Sequence, residues 1–429
     1  MTEEINLPKH WEMKKLGDIC IRKDGLRRGP FGSSIKKEIF VPDGYKVYEQ
    51  SNAIYDDMYR GRYFIDENKY KDLINFNVQP GDFIVSCSGT LGKIAQIPDN
   101  AKPGVINQAL LRIRIKEEII TKKYFLCFFR SVIFQRKIFV QSQGTAMSNL
   151  IGIKDFKEIE LPIPPIHEQK AIISKIEELL SDLENGKQQL QTALQQLKIY
   201  RQSLLKSAFE GKLTNPNVKS GELPEGWVVK TFNEIGSWKG GGTPSKSRKD
   251  FWEDGNILWV SPKDMKSQKI VDTIDKITAD AIENSSTKII PKGSILFVVR
   301  SGILRRTLPV ALTICEVTVN QDIQAFTPNN VLPEYIYWYV CALNNEIRQK
   351  CSKDGTTVES IESSLLKNFP VPVCSYEEQQ LIVNELESKL TVCDKLEETI
   401  TQSLLQSETL KQSILKKAFE GKLVRSFVN

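Results

Sequence analysis

Histidine is nearly missing from this chain. His10 and His167 are the only two in 429 residues. Histidine is the commonest general base and metal ligand near neutral pH, so histidine-based nucleophilic or metal-assisted catalysis is not expected. His167 stands just before a helix start, where a capping or solvent-facing role is expected. No C-x-x-C occurs among the eight scattered cysteines. That removes the spacing of zinc sites and dithiol redox motifs. The thiols read instead as small buried hydrophobes in a reducing compartment. No apolar run is long enough to span a bilayer, and nothing at the N-terminus reads as a secretory signal. A cytoplasmic protein without membrane contact is the expectation. A P-loop is absent, as is the Asn- or Asp-Pro-Pro-aromatic motif of amino-methyltransferases, which argues against an intrinsic enzyme. Asp43 followed by Glu67-Asn68-Lys69 imitates the carboxylate–lysine pattern of magnesium nucleases. It has no counterpart in the second half and reads as chance.

What the chain does have, it has twice. Lys206–Leu213 reads K-S-A-F-E-G-K-L, and Lys416–Leu423 reads K-K-A-F-E-G-K-L. Leu7-Pro8 with Trp11 recurs as Leu223-Pro224 with Trp227. Asn107-Gln108 recurs as Asn320-Gln321, and Gly144-Thr145 as Gly355-Thr356. A Pro-x-Pro block followed by Glu-Gln recurs as Pro162, Pro164, Glu168-Gln169 and Pro370, Pro372, Glu378-Gln379. The order is kept throughout. A duplicated unit implies a pseudo-twofold molecule with two similar sites, suited to a target that itself has two parts.

Residues 168–210 lack proline and carry a single glycine, Gly186. Ile172, Ile176, Leu179, Leu183, Leu190, Leu194, Leu197, Leu204 and Ala208 recur at steps of three, four or seven, the seam of a long amphipathic helix. Ile382, Leu386, Leu390, Cys393, Leu396, Ile400, Leu404 and Ile414 repeat it. Each helix would be about 60 Å long, too long to pack only on its own globular domain. The other helix is the expected partner, antiparallel, with a globular domain at each end. Gly211 and Gly421 stand where C-terminal stops belong. The segments before the helices read as short β-rich runs broken by Gly turns, among them 82–86 and 294–299. The fold class is therefore α+β, as two tandem domains each followed by a long helix. The divisions fall at 1–160, 161–212, 213–370 and 371–429. Excess positive charge sits on the globular segments, net +6 over 1–160 and +2 over 211–370, against −2 over 371–429. That is a weak pointer to a polyanion.

This order of blocks resembles the specificity subunit of type I restriction–modification systems, over essentially the whole chain. Arg28-Gly29-Pro30-Phe31-Gly32-Ser33-Ser34 and Lys239-Gly240-Gly241-Gly242-Thr243-Pro244-Ser245 are similar to glycine loops of that family. The resemblance implies two target-recognition domains, each reading one half of a split double-stranded DNA sequence, with paired helices as spacer. It implies two methyltransferase subunits docked on the helices, and restriction subunits in the full complex. S-adenosylmethionine, ATP and Mg²⁺ are then expected on partner subunits and no cofactor on this chain, which has no catalysis of its own. An autonomous duplicated-domain DNA enzyme, nuclease or methyltransferase, is the alternative. A purely structural coiled-coil linker is a third possibility.

Within that frame the DNA-binding candidates are cations beside glycine loops, where the backbone comes close to a phosphate. They are Arg27, Arg28, Lys36 and Lys37 in the first domain, and Lys246, Arg248 and Lys249 in the second. Lys93, Arg300, Arg305 and Arg306 sit in turns that follow equivalent strands. Thr145 and Thr356 sit in polar loops before the helices. An Asn-Gln pair is able to read adenine. Domains reading different sequences should not share their base readers, so a structural role is expected for Asn107-Gln108 and Asn320-Gln321.

Overall fold

The computed structural model describes residues 7–31, 34–139, 152–219, 221–353 and 358–424. The chain divides into two units, Met1–Leu190 with Gln402–Asn429, and Gln191–Thr401. Each long helix contributes one part to each unit.

The first unit holds two four-stranded sheets. In one, the order is Leu26–Arg28, Leu110–Ile113, Phe83–Ser86, Ile94–Gln96, all antiparallel. In the other, it is Phe64–Ile65, Tyr45–Tyr48, Gly104–Ile106, Asn77–Val78, with a parallel central pair. The second unit repeats the first sheet with Gly236–Gly240, Ile323–Pro328, Ile295–Val298 and Val310–Thr313, then adds Lys269–Ile270. It repeats part of the second with Asp275–Ile277, Ile257–Val260 and Thr318–Val319. Registers correspond: Arg27 faces Arg112 as Lys239 faces Ala325. Phe83-Ile84-Val85 and Ile295-Leu296-Phe297-Val298 are buried at every position, which is why they read as continuous apolar runs.

The interiors solve the same position differently. In the first unit buried Arg112 and Arg114 bond Asp24, and Arg114 also bonds buried Asp82 at 2.7 Å. In the second unit a Ser294–Thr327 hydroxyl pair at 2.8 Å stands in the corresponding place.

The Pro-x-Pro blocks are strands. Glu160–Ile163 pairs antiparallel with Glu12–Lys15, and Pro370–Val373 with Val228–Thr231. A two-stranded ribbon has only edge strands, and an edge tolerates the missing proline N–H. The Tyr124 hydroxyl donates to the Pro162 carbonyl at 3.1 Å, and the Tyr335 hydroxyl to that of Pro372 at 2.9 Å.

The helices run Ile166–Phe209 and Tyr376–Phe419. In the first unit Ile172, Ile173 and Ile176 share a core with Ile414, Leu415, Ala418 and Phe419, and Lys187 meets Glu408 at 3.0 Å. In the second unit Leu204, Ala208 and Phe209 share a core with Ile382, Val383, Leu386 and Leu390. There Arg201 bridges Asp394 at 2.7 Å and Glu397 at 3.0 Å. Ascending numbers on one helix meet descending numbers on the other, so the pairing is antiparallel, as the duplication predicts. Leu183, Leu190, Leu194 and Leu197 are only half-buried, and Leu396, which the periodicity assigns to the seam, is 48% exposed. Two helices bury the line where they face each other and leave its flanks uncovered.

Both helices stop in the same way. Gly211 and Gly421 adopt φ of +75° and +71°. Lys212 N–H reaches back to the Ser207 carbonyl, and Lys422 N–H to that of Lys417, at 2.9 and 2.8 Å, the closure expected after a left-handed residue. A Cβ on Gly211 would lie 2.2 Å from Pro224 Cγ, and one on Gly421 2.4 Å from Pro8 Cγ. Phe209 packs edge-on to Tyr335 and Tyr339, and Phe419 edge-on to Tyr124 and Phe128. The A-F-E-G-K-L block therefore closes on the L-P-x-x-W block. In the first unit this seats the end of the second helix against Leu7–Trp11, as a cyclic duplication requires.

The Glu-Gln pair completes the closure. Trp11 Nε1 donates to Glu168 at 2.9 Å, and Trp227 Nε1 to Glu378 at 3.0 Å. Gln169 accepts from Thr121 N–H and donates to the carbonyls of Ile119 and Pro164. Gln379 does the same with Leu332 N–H and the Cys374 carbonyl. Among the described residues no helix is long and apolar enough to cross a membrane.

Candidate nucleic-acid interface

In the first unit, strand Leu26–Arg28 delivers Arg28 to the junction of three loops. Its Nε donates to the Gln108 carbonyl at 3.2 Å and its Nη2 to the Cys87 carbonyl at 3.3 Å. One guanidinium thus ties the glycine loop to the Asn107-Gln108 turn and to the turn that carries Lys93. The next residue, Gly29, lies so close to that turn that a Cβ would fall 1.8 Å from the Asn107 carbonyl oxygen. Gly241 repeats the approach, 2.1 Å from the Val319 carbonyl oxygen. These two glycines admit protein backbone, so the close approach to phosphate expected from sequence is not what demands them.

The turns they press on are built alike. Asn107 Oδ1 accepts from Ala109 N–H at 3.0 Å, and Asn320 Oδ1 from Asp322 N–H at 3.1 Å. Both side chains close their own turns, which is the structural role expected for residues shared by both halves. Gln321 accepts from the Thr243 hydroxyl.

The remaining candidates separate by what they already hold. Arg27 lies 3.8 Å from Asp24. Arg248 is engaged by Asp250 and by Asp280, the latter at 3.2 Å, and stacks 4.0 Å from the Phe251 ring centroid. Lys249 faces Glu253 at 3.8 Å, and Arg305 faces Glu359 at 3.3 Å. Lys36, Lys37, Lys93, Lys246, Arg300 and Arg306 are exposed and form no ion pair among the described residues. These six keep their donors free for an anion. Thr145 and Thr356, with Gly144, Gly355, Gly32 and Ser33, lie outside the described residues.

Arg28 and Lys93 are brought together through the Cys87 carbonyl and the turn that follows it, where Lys93 N–H donates to Ser86 Oγ. In the second unit the turn after Ile295–Val298 is bound to the segment before helix Ser363–Lys367. Ser301 N–H donates to the Glu359 carbonyl and Ile361 N–H to that of Val299. Arg348, which the sequence did not single out, donates to the carbonyls of Leu304 and Arg305 and so shapes this turn. No hydrogen bond or ion pair among the described residues links Lys246–Lys249 to it.

Two buried thiols and the nuclease-like carboxylates are held away from covalent chemistry. Burial pushes the Cys87 thiol up to about 11 even with Arg28 nearby, and the Cys20 thiol up to about 12. Asp43 is bound to Lys102, Glu67 pairs with Lys71 and Lys69 with Asp72, so the nuclease-like pattern does not converge. His10 bonds Glu168 at 2.7 Å. That contact was hidden in the sequence, although the shared Trp and Glu-Gln blocks around it were visible. Among the described residues no three His, Cys, Asp or Glu side chains gather as metal ligands. The arrangement presents cations on loops held by backbone bonds, a geometry for contacting an anion.

Comparison with known proteins gives one family. Residues 8–192 and 224–406 each match the sequence profile of the type I restriction modification DNA specificity domain. A specificity subunit of Escherichia coli, that of the type I restriction enzyme EcoR124I/EcoR124II, is 38% identical over 57% of this chain. The match spans 59% of that relative's length. The EcoKI specificity subunit of Escherichia coli K12 is 26% identical over 97% of this chain and 90% of its own. Among solved structures, the HsdS subunit from Thermoanaerobacter tengcongensis superposes with a TM-score of 0.67 at 19% identity, covering 97% of this chain and 98% of that one. That likeness establishes a shared fold.

Proposed function

Because the chain belongs to the type I restriction–modification DNA specificity family, we propose that it is the sequence-recognition subunit of such a complex, reading a bipartite double-stranded DNA target with one domain per half-site. The observation that carries the reading is a duplicated scaffold with a diverged surface. Sheet registers, the Trp–Glu bonds and the glycine stops correspond between the units. The exposed cations do not: Lys36, Lys37 and Lys93 in one, Lys246, Arg300 and Arg306 in the other. One framework carrying two different sets of free donors suits two specificities on one molecule.

On this reading the chain performs no chemistry. It positions adenine methylation and restriction by partner subunits, two methyltransferases docked on the helices and restriction subunits beyond them. S-adenosylmethionine, ATP and Mg²⁺ are carried by those partners, and the complex works in the cytoplasm. Helix docking is supported by apolar side chains left exposed on the helices, Leu405 and Leu410 in the first unit, Ile199, Val392 and Leu396 in the second. An adenine is methylated only after it leaves the stack, which the methyltransferase pocket accomplishes while this chain holds the register.

The test is to map methylated adenines in cells carrying this chain with its methyltransferase partner. A split motif is expected. Replacing residues 213–370 with the same segment of a relative should change one half of it and leave the other. A change in both halves overturns modular readout. Methylation or cleavage by the isolated chain, supplied with S-adenosylmethionine or Mg²⁺, would support the autonomous-enzyme alternative.

A further inference from the structure

In the first unit the connection between strands Tyr45–Tyr48 and Phe64–Ile65 is held from beneath by buried polar side chains. Fully buried Asn52 donates through Nδ2 to the Asp57 carbonyl at 2.8 Å and to the Arg60 carbonyl at 2.7 Å. Lys46, also buried, donates to the Tyr59 carbonyl at 3.1 Å. Asp57 Oδ1 accepts from the N–H groups of Tyr59 and Arg60 at 2.9 and 3.2 Å. Over 56–60 only Met58 is buried. The main chain is bound inward, and the informative side chains stand outward. Tyr55 is 62% and Tyr59 66% exposed. The Arg60 guanidinium lies 4.2 Å from the Tyr55 ring centroid and has no carboxylate partner among the described residues.

This is a costly way to build a loop. Burial draws the Lys46 ammonium below the usual lysine range, so a cation is desolvated to hold one carbonyl. A connection kept for stability would bury its tyrosines. This one fixes a backbone and displays a cation over a ring. The loop is also tied to a candidate already described: Arg130 bonds Asp56 at 2.7 Å and the Ile94 carbonyl at 3.0 Å, next to Lys93.

The second unit uses the same anchor for a different display. Asp264 takes the place of Asn52, accepting from Ser261 N–H at 2.8 Å as Asn52 accepts from Glu49 N–H at 2.8 Å. The spacing from anchor to returning strand is the same, Asn52 to Ile65 and Asp264 to Ile277. That segment contains no arginine and no aromatic ring; it exposes Lys266, Lys269, Asp272 and Asp275 beside Val271 and Ile274, the last two each 70% exposed.

We propose that Arg60, seated over the Tyr55 ring on this anchored loop, is a specificity-determining residue that reads a guanine in the half-site bound by the first domain. The proposal rests on the DNA-recognition reading above. A guanidinium donates two parallel bonds to guanine O6 and N7, and a ring beneath it removes freedom that would blur that geometry. Tyr55 acts through Arg60 and is a positioning residue.

The experiment maps methylated motifs and measures competition binding on a randomised duplex library, using the assembled complex with its methyltransferase partner. Arg60→Ala and Arg60→Lys should each lose discrimination at one guanine of one half-site, on the order of 10- to 100-fold, with the other half-site and the gap unchanged. Tyr55→Phe should retain the motif, and Tyr55→Ala should relax the same position. Arg60→Lys keeps the charge, so it decides the matter if Arg60→Ala assembles poorly. An unchanged motif, or equal weakening on all sequences, overturns the role of Arg60 and leaves the DNA reading standing. A wild-type complex without any split motif overturns the DNA reading and this proposal with it.

Discussion

Gly421 and Gly186 differ in the sign of φ and in the space around them, and both differences set opposite expectations for the same substitution. Gly421 holds φ of +71°, and a Cβ there would meet Pro8 Cγ at 2.4 Å. Gly421→Ala is expected to destabilise the first unit by about 1–3 kcal/mol. Gly186 lies inside the helix Ile166–Phe209 with nothing within 4 Å of an added Cβ. Gly186→Ala is expected to stabilise by about 0.5–1 kcal/mol through helix propensity alone. Denaturant unfolding of the two variants checks this, and shifts of the same sign would refute it. The stop was legible in the sequence as a Gly after a periodic run. The proline that makes it specific was not, because Pro8 and Gly421 lie at opposite ends of the chain. Arg28 shows the same limit. Its place beside a glycine loop suggested phosphate contact, while its bonds to the Gln108 and Cys87 carbonyls depend on loops far along the sequence.

At the scale of elements, the helix pair in the second unit offers a choice between apolar and ionic cohesion. Leu386 is fully buried in the shared core. Leu386→Ala should cost about 2–5 kcal/mol through lost burial and the cavity left behind. Arg201 bridges exposed Asp394 and half-buried Glu397, so Arg201→Ala should cost about 1 kcal/mol or less. Thermal unfolding of the two variants decides which term holds the helices. Equal losses would move the cohesion from the seam to the charges. The periodicity that reveals a seam does not reveal how wide it is. Leu396 fits the repeat and is nonetheless half-exposed, because nothing among the described residues covers the flank it occupies.

At the scale of the molecule, the cyclic order of blocks carries its own test. In the first unit Leu423 and Leu7 pack on one core, and Gly421 sits on Pro8. The equivalent junction in the second unit, Gly211 on Pro224, is bridged by continuous chain. Joining residue 429 to residue 1 and reopening the chain between Asn217 and Val218 should yield a folded protein with an unfolding midpoint close to the original. Circular dichroism and denaturant titration read the outcome, and loss of cooperative unfolding would exclude equivalence of the two junctions.

The sequence by itself determined the duplication, the α+β class, the two long helices and their antiparallel seam, and the structural role of the Asn-Gln turns. Those features are written locally, in periodicity, in breakers and in blocks that occur twice. Only the tertiary structure decided which cations keep free donors, that the Pro-x-Pro blocks are strands, that Glu168 and Glu378 hold the domain-opening tryptophans, and that Arg60 is displayed on a loop anchored by Asn52 and Lys46. Each depends on which carbonyl or carboxylate arrives from a remote segment, and a side chain's availability to a ligand is set by the partners it has already met. A repeat within the chain reveals what the two units share, whereas on the proposed reading recognition resides in the residues by which they differ.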